Sequence, residues 1–393
     1  FLTDSYWEGL DEDALPNVEG VFSLTDYHVL FERRGGVLTQ CVDSMTANYR
    51  RRYPNGFTVN DIKYPDIPND QLILLNYTSG TTGSSKGVML SVNNLTGNMV
   101  FARDMINIET GKPYFHAGGR SLSFLPLAHA YGCAFDFLAQ LVVGGHITLL
   151  GKMPSPKILV DAMKNVKPTV ICSVPLILEK VYRKMIMPML EQGPMSIAMK
   201  IPFINTALYS IIRMKLMESF GGEAQIFIVG GAPMNQETEA FLRKINFPLT
   251  IGYGMTECAP LISFAAPCEF KAGSCGKYLP GLMEAKIDSK DPQNIAGEIL
   301  VYGENVMMGY YKNEEATNAV LEKDGWLHTG DMGVMDSDGT IYIKGRCKTM
   351  ILTDTGQNIY PEEIEDKLNN LPLVAESLVL ENGGKLYGLV VPD

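Results

Sequence analysis

The sequence predicts an α/β protein: a layered large domain with mostly parallel sheets, a small β-rich subdomain, and then the start of a small α+β C-terminal domain. The first observation is that short apolar runs alternate with segments of helical length, a pattern typical of parallel sheets. The runs are residues 72–77, 122–125, 147–150, 169–174, 225–229 and 249–251. Because ligands collect where the strands of such a sheet end, the loops after these runs are candidates for a site.

The second observation concerns the last third of the chain. Residues 283–288 and 297–303 have strand-like patterns bounded by Gly and Pro, which predicts the β-rich subdomain. Pro361 stands at a permitted first-turn position of a predicted helix. The segments 374–380 and 385–391 then predict an antiparallel pair.

Composition and charge limit the classes of function that are possible. Apolar residues make up 46% of the 393 residues, an ordinary globular balance, and this length allows two or three structural units. The net charge of −11 disfavours nucleic-acid partners and broad binding to anionic membranes, because neutralising phosphates requires a basic face. Any nucleotide must therefore be held by a local site.

Cysteine usage indicates the compartment. The seven cysteines are odd in number and form no CxxC pair, so we expect neither a disulfide framework nor a zinc site, and we predict a cytoplasmic protein. We find no signal peptide, and the most apolar region, residues 121–151, is broken by Pro126 and Asp136, so we predict no transmembrane segment. Because the chain starts at Phe1 rather than Met, we expect that something upstream is missing.

Residues 77–88 (YTSGTTGSSKGV) form the most informative stretch. They follow a predicted strand, and their glycines let backbone N–H groups turn inward. The Ser and Thr residues supply hydroxyls and Lys86 supplies a cation, so the loop combines groups that suit triphosphate oxygens. The residues that we select from this loop are Thr78, Ser79, Gly80, Thr81, Thr82, Gly83 and Lys86. The structural alternative is a flexible, solvated turn.

This loop differs from the Walker A motif GxxxxGK[ST]. Ser85 stands where the second glycine belongs, and Gly87 rather than Ser or Thr follows Lys86. The chain then continues as a strand, with Asn93 and Asn94 as the next helix-cap candidates. Since no helix N-terminus faces the loop, the pattern argues against a P-loop NTPase.

Two further loops follow predicted strands. In residues 225–233 (QIFIVGGAP), Gly230 and Gly231 permit close backbone approach by a flat ring, although any strand-to-helix turn can use two glycines. In residues 125–132 (LPLAHAYG), His129 follows a strand, and a lone histidine is most often a satisfied core residue.

Residues 250–260 (TIGYGMTECAP) carry a denser pattern. Two glycines flank Tyr253, which can present an aromatic face, while Thr256 supplies a hydroxyl and Glu257 a carboxylate. A purine needs stacking, a phosphate needs a donor and Mg²⁺ needs a hard oxygen ligand. The alternative is a turn with a solvated glutamate.

The last candidates lie near the predicted β-rich subdomain. Asp331 stands on a Gly-bounded turn in residues 324–333 (DGWLHTGDMG), where an Asx-turn is the structural alternative. Arg346 and Lys348 follow a strand in residues 341–350 (IYIKGRCKTM), where an exposed lysine at a strand end is the alternative for Lys348.

Taken in their order along the chain, these stretches resemble the signature of the adenylate-forming (AMP-binding) enzymes: acyl- and aryl-CoA synthetases, luciferases and the adenylation domains of peptide synthetases. The resemblance covers roughly residues 72–393, and the PLAH-type segment is similar to that of bacterial-type long-chain fatty acid–CoA ligases. It implies that the Gly-rich loop with Lys86 closes over the ATP phosphates and that His129 lies near the acyl-adenylate. The resemblance assigns the nucleotide pocket to Gly231, Ala232, Pro233, Gly252, Tyr253, Gly254 and Met255.

The resemblance also implies individual roles. Thr256 would contact the α-phosphate, Glu257 would bind Mg²⁺, Asp331 would hold the ribose hydroxyls, and Arg346 would grip the ribose or α-phosphate. Lys348 would be the hinge on which a C-terminal domain rotates. We accordingly divide the chain into a large domain, residues 1–345, and a hinge with the first part of a mobile domain, residues 346–393.

The sequence departs from the family at both ends. Members carry further residues before this start and, near their end, a lysine that contacts the carboxylate and the α-phosphate. We therefore expect a fragment with poor adenylation and little thioester formation.

The predicted reaction joins ATP and a fatty acid, with Mg²⁺, into acyl-adenylate and pyrophosphate, followed by transfer to coenzyme A. Small molecules are the expected partners, and a Met-rich basic segment, residues 180–220, leaves peripheral membrane contact open. Three alternatives remain: an acyl carrier protein as acceptor, a non-catalytic nucleotide-binding module, and a P-loop hydrolase.

Overall fold

The computed structural model describes residues 1–78, 85–152, 154–191, 193, 198–199, 201, 203–352, 358–371, 373–382 and 385–392. The chain divides into two compact units, Phe1–Asp66 and Ile67–Asp393. The predicted domain boundary after residue 345 stays a prediction.

The first unit holds a hairpin and a long helix. Its elements are α1 Asp4–Trp7, a 3₁₀ turn Glu12–Ala14, β1 Gly20–Phe22, β2 Val29–Glu32, α2 Val37–Arg52 and a 3₁₀ turn Val59–Asp61. Strands β1 and β2 are antiparallel. The Glu32 carboxylate accepts hydrogen bonds from the backbone N–H groups of Leu38 and Thr39, and so satisfies two free donors of the first turn of α2.

The second unit alternates strands and helices. Its helices are α3 Val92–Asp104, α4 Ala139–Val143, α5 Pro156–Val166, α6 Pro175–Val181, α7 Met187–Glu191, α8 Ile204–Ser219, α9 Gln236–Lys244, α10 Glu314–Asn318 and α11 Pro361–Asn369. Its strands are β3 Leu72–Thr78, β4 Lys86–Ser91, β5 Ile106–Asn107, β6 Lys112–Pro113, β7 Arg120–Ser123, β8 His146–Leu149, β9 Val170–Ser173, β10 Ile226–Val229, β11 Leu249–Ile251, β12 Tyr253–Gly254, β13 Leu261–Phe264, β14 Lys277–Tyr278, β15 Met283–Asp288, β16 Gly297–Gly303, β17 Gly309–Tyr310, β18 Leu327–Met335, β19 Ile341–Arg346, β20 Ile351–Leu352, β21 Asn358–Ile359, β22 Val374–Asn382 and β23 Lys385–Pro392. Helical turns of π type at Gly132–Leu138 and Tyr182–Ile186 precede α4 and α7.

Parallel pairing, which the sequence predicts, is found in two sheets. Strand β7 pairs with β8, and a three-stranded sheet has the order β11-β10-β9. Strands β9, β10 and β11 are buried at every residue, as expected for parallel strands covered on both faces. The rings of Phe220 and Phe247 pack on Phe227 of β10, with centroids 4.9 and 4.4 Å from the Phe227 ring.

The strand before the Gly-rich loop is paired differently from the prediction. Strand β3 is antiparallel to β4, which in turn pairs with β17. The reason is the short connection, because a parallel crossover needs a dozen or more residues and only residues 79–85 separate the two strands.

The N-cap of helix α3 lies two or three residues before the predicted caps, Asn93 and Asn94. Its N-cap is Ser91, whose side chain accepts a hydrogen bond from Asn94 N, while the side-chain Oδ1 of Asn94 accepts from Ser91 N. Asn94 therefore sits at the third helical position of a capping box and is not the cap itself. Its amide also donates to the backbone oxygens of Glu304 and Val306, at 2.7 and 2.8 Å.

The β-rich subdomain predicted from the sequence is present as an antiparallel sheet of order β15-β16-β18-β19. The register of β18 and β19 sets Asp331 opposite Arg346. Two residues predicted from separate stretches are thus neighbours across one strand pair.

The C-terminal pair is also confirmed, since β22 and β23 are antiparallel. Helix α11 lies against the segment before α9: the Asn235 amide donates to Asp366 Oδ1 at 3.0 Å and to Asn370 Oδ1 at 2.7 Å. The Arg183 guanidinium donates to the Asn369 carbonyl oxygen at 2.6 Å, where a cation complements the helix dipole. Within the described parts of the chain, no helix combines the length and apolarity that a bilayer crossing requires.

Candidate functional site

A cleft of about 770 Å³ collects most of the residues predicted to hold a nucleotide. The predicted residues that line it are Gly231, Ala232, Pro233, Gly252, Tyr253, Gly254, Asp331 and Arg346. They come from the loop after β10, from Gly252 and the short strand β12 that follows β11, and from the β18–β19 pair. Segments up to about a hundred residues apart in sequence therefore meet in one cavity, whereas Lys86, which was expected at the same site, does not line it.

The parallel sheet explains how the first two loops meet. Strands β10 and β11 run side by side, so their carboxyl ends lie at the same edge, and Gly252 N donates to the Val229 carbonyl at 2.9 Å. Glycine is required at position 254, because a Cβ there would lie 2.2 Å from the Pro260 carbonyl oxygen. Gly231 has φ +86°, in the left-handed region that favours glycine.

A buried carboxylate, Asp331, is among the residues that line the cleft. The Tyr253 hydroxyl donates to Asp331 Oδ2 at 2.8 Å, and Arg346 Nε lies 3.3 Å from Asp331 Oδ1. Only 11% of the Asp331 side chain is exposed, and burial raises its pKa, against the lowering effects of the Tyr253 hydrogen bond and the Arg346 charge. Each carboxylate oxygen keeps a free lone pair, so the group can still accept from two neighbouring hydroxyls.

Asp331 lies within strand β18 and not on the predicted Gly-bounded turn, because residues 327–335 pair with β16 and β19. This part of β18 is also held by side chains of β16 and its neighbours. Glu298 Oε1 accepts from Gly330 N at 3.0 Å, and Glu298 Oε2 lies 2.8 Å from His328 Nδ1. The other ring nitrogen of His328 lies 2.9 Å from Glu322 Oε1, and the hydrogen bond with Glu298 is the largest of the effects that raise the pKa of His328. Sequence reasoning missed Glu298 and His328, since their pairing depends on the β16–β18 register.

A second group of side chains involves the two charges predicted at the phosphates. The Lys86 ammonium nitrogen lies 4.9 Å from the centroid of the Tyr310 ring, and the Tyr310 hydroxyl donates to Glu257 Oε1 at 2.7 Å. Neither Lys86 nor Glu257 lines the cleft described above. We call these three residues the Lys86–Tyr310–Glu257 cluster.

Two predicted residues connect the cleft with this cluster along the chain. Met255 directly follows Gly254 of the cleft, and Thr256 begins the 3₁₀ turn Thr256–Cys258 that carries Glu257. Sequence reasoning missed Tyr310. Its position in the sequence, beside a second tyrosine and far from either charge, gave no signal for this contact.

Thr78 and Lys86 frame the Gly-rich loop. Thr78 ends β3 and pairs in register with Lys86, the first residue of β4, and the Thr78 carbonyl accepts from the Ser85 hydroxyl at 3.2 Å. Ser79, Gly80, Thr81, Thr82 and Gly83 lie outside the described residues.

His129 and Lys348 lie away from the lining of the cleft. His129 is exposed on the turn after β7, and the neighbouring Ala128 carbonyl accepts a hydrogen bond of 3.0 Å from the Asn76 side chain of β3. Lys348 lies in the turn between β19 and β20. Both roles stay predictions.

Metal ligands are sparse in this region. The described part of the chain holds no group of three or more His, Cys, Asp or Glu side chains arranged for a metal ion. A single carboxylate such as Glu257, with one oxygen fixed by Tyr310, fits a Mg²⁺ ion that takes its other ligands from phosphates and water.

Comparisons with known proteins identify a family for this chain. A family model described as AMP-binding enzyme covers residues 22–311. Long-chain-fatty-acid–CoA ligase ACSBG1 of Macaca fascicularis is 30% identical over 334 residues, 80% of this chain and 45% of that protein. Long-chain-fatty-acid–CoA ligase 5 of Rattus norvegicus is 33% identical over 417 residues, 98% of this chain and 58% of that protein.

A solved structure extends the match to the fold. The O-succinylbenzoate coenzyme A synthetase MenE from Bacillus subtilis, in complex with ATP and a magnesium ion, superposes with a TM-score of 0.64 at 28% identity, covering 84% of this chain and 62% of that one. The chain spans about half the length of the curated relatives that it matches.

Proposed function

Because the chain belongs to the AMP-binding enzyme family, we propose that it activates a long-chain fatty acid with ATP and transfers the acyl group to coenzyme A. The first half-reaction forms an acyl-adenylate and releases pyrophosphate, and the second forms the thioester and releases AMP. The observation that carries this proposal is the buried Asp331 carboxylate, which contacts Tyr253 and Arg346 in a cleft that is also lined by glycines after β10 and β11. The printed names of the relatives support the fatty acid and coenzyme A.

The cleft supports a specific nucleotide orientation. Adenine would lie against the backbone of residues 231–233 and the residues 252–255 beside them, where glycines allow close approach. The ribose hydroxyls would donate to the two oxygens of Asp331. Arg346, of which 64% of the side chain is exposed, is free to turn its guanidinium toward the ribose or the α-phosphate.

The phosphates would then extend toward the Lys86–Tyr310–Glu257 cluster. Lys86 and the backbone and hydroxyl groups of residues 78–83 would bind the β- and γ-phosphates, and Thr256 the α-phosphate. Glu257 would hold Mg²⁺, which when bound neutralises charge on the leaving pyrophosphate. The charge of Lys86 and the hydrogen-bond donors of residues 78–83 and Thr256 would offset the repulsion between the anionic carboxylate substrate and the anionic triphosphate.

The remaining predicted roles concern the acyl group and motion. His129 would lie near the acyl-adenylate, and Lys348 would be the hinge between residues 1–345 and 346–393. The Asn235 and Arg183 hydrogen bonds to α11 support a defined resting position for the segment after the hinge. We also propose a cytoplasmic protein, because all seven cysteines are free thiols.

The test measures ATP binding and pyrophosphate release by the full chain, with acids from acetate to long-chain fatty acids. We expect ATP to bind, and pyrophosphate to appear at a low rate and only with long-chain fatty acids. ATP binding without pyrophosphate release under any acid would support a non-catalytic nucleotide-binding module instead. Release of phosphate rather than pyrophosphate would support a hydrolase. Offering coenzyme A and an acyl carrier protein separately identifies the acceptor.

A further inference from the structure

Tyr310 contacts both predicted phosphate-site charges with different parts of one side chain. The ring face lies 4.9 Å from the Lys86 ammonium nitrogen, within the range of a cation–π contact. The hydroxyl at the ring edge donates to Glu257 Oε1 at 2.7 Å. The two contacts are therefore separable, since a phenylalanine keeps the first and loses the second.

The position of this ring is fixed by three elements. Tyr310 is 6% exposed, pairs in register with Val88 of β4, and its N–H donates to Thr317 Oγ1 of α10 at 2.9 Å. The segment before it is tied to the 3₁₀ turn of Glu257, because Met307 N donates to the Glu257 carbonyl at 2.8 Å. A buried ring held in this way sets the positions of its neighbours.

We propose that Tyr310 is a positioning residue that orients the Glu257 carboxylate for Mg²⁺ and, independently, holds Lys86 for the phosphates. This inference rests on the proposed function. A direct ion pair between the lysine and the glutamate would occupy both groups with each other. A ring face and a single hydroxyl hold them in place while leaving lysine N–H donors and a carboxylate oxygen free for a ligand.

The test titrates ATP into the full chain by calorimetry, with Mg²⁺ varied and with Mg²⁺ removed by a chelator. Tyr310→Phe is expected to raise the Mg²⁺ concentration at half-maximal enhancement of ATP binding about tenfold, the usual effect of removing a partner of a metal ligand. ATP affinity without Mg²⁺ should stay at the wild-type value. Tyr310→Leu, which also removes the ring face, should weaken ATP binding under both conditions.

The matched control is Tyr311→Phe. This neighbouring tyrosine also lies near a cation, with Lys312 Nζ 5.1 Å from its ring centroid, but it is 42% exposed. It should bind ATP and Mg²⁺ like the wild type, and thermal unfolding of each variant checks its folding. Wild-type Mg²⁺ dependence in a folded Tyr310→Phe, or equal weakening with and without Mg²⁺, overturns this inference alone. A wild-type chain that binds no ATP overturns the proposed function and the inference together.

Discussion

Replacement of Asp331 by asparagine separates ligand binding from stability. Asparagine is nearly isosteric and keeps one oxygen for the Tyr253 hydroxyl, but it replaces the second oxygen by an amide donor and removes the charge. One of the two charge-assisted hydrogen bonds to the ribose is lost, which corresponds to about 1.5–3 kcal/mol. We therefore expect ATP affinity to fall by roughly 10- to 150-fold.

The stability of Asp331→Asn without ligand should not fall, in contrast to its ATP affinity. The pKa of Asp331 is raised in the folded chain, so the stability linked to this group is present below its unfolded pKa and lost as pH rises through the folded value. At neutral pH the ionised carboxylate is a cost that asparagine removes. The melting temperature of Asp331→Asn without ligand should equal or exceed that of the wild type.

The assay is calorimetric titration with ATP and with 2′,3′-dideoxy-ATP, beside thermal unfolding. The wild type should lose affinity for the dideoxy nucleotide, and Asp331→Asn should bind the two nucleotides almost equally. Asp336→Asn is the matched control, because Asp336 also accepts from a tyrosine hydroxyl, at 3.1 Å, and a cation, at 2.7 Å, but lies outside the cleft lining. Wild-type ATP affinity in Asp331→Asn, or an unchanged preference for the ribose hydroxyls, would refute the reasoning.

Three further predictions test other parts of the molecule. Lys86→Ala should weaken ATP binding by roughly 10- to 150-fold, as expected for the loss of a hydrogen bond to a charged group, while Glu257→Gln should abolish the enhancement of ATP binding by Mg²⁺. Calorimetry with and without Mg²⁺ distinguishes the two effects. Wild-type behaviour of either variant would show that the role assigned to that residue is wrong. Asp136→Asn should stabilise the chain increasingly as pH rises from about 4 to about 7, by up to about 4 kcal/mol, because burial raises the pKa of Asp136 to about 7 and makes the charged carboxylate unfavourable in the folded state. Melting temperatures of the variant and the wild type at pH 5 and pH 8 check this. An equal difference between the two proteins at both pH values would contradict it. Gly254→Ala should destabilise by about 1–3 kcal/mol in urea unfolding, since the new methyl would meet the Pro260 carbonyl at 2.2 Å, whereas Gly151→Ala, with open space around it, should have little effect.

Local sequence patterns predicted much of the fold because they report burial. The apolar runs of β9, β10 and β11 are buried throughout, and the turns after β10 and β11 hold glycines that the backbone geometry requires. The antiparallel partner of β3 was not predicted from its apolar run, because such a run indicates a strand and not which strand lies beside it. The run was also a poor guide to burial, since every residue of β3 is at least partly exposed.

In the candidate site, too, residues with a local sequence signal could be predicted and residues placed by strand pairing could not. Tyr253 and Asp331 could be predicted because each stands in a dense local pattern of glycines and polar groups. Tyr310 and Glu298 could not, since each acts through a partner more than 25 residues away that only the strand register brings close. Cross-strand neighbours are set by tertiary structure, and a single sequence carries little trace of them.

On the proposed function, the pairing of Asp331 with Arg346 across two strands would link nucleotide occupancy to the C-terminal segment. Arg346 is the last residue of β19, and the chain turns immediately afterwards. On the proposed function, a bound ribose that draws the guanidinium inward would favour one position of that turn. By thermodynamic reciprocity, a turn held in that position would then raise the affinity for the nucleotide by the same factor by which the nucleotide favours it.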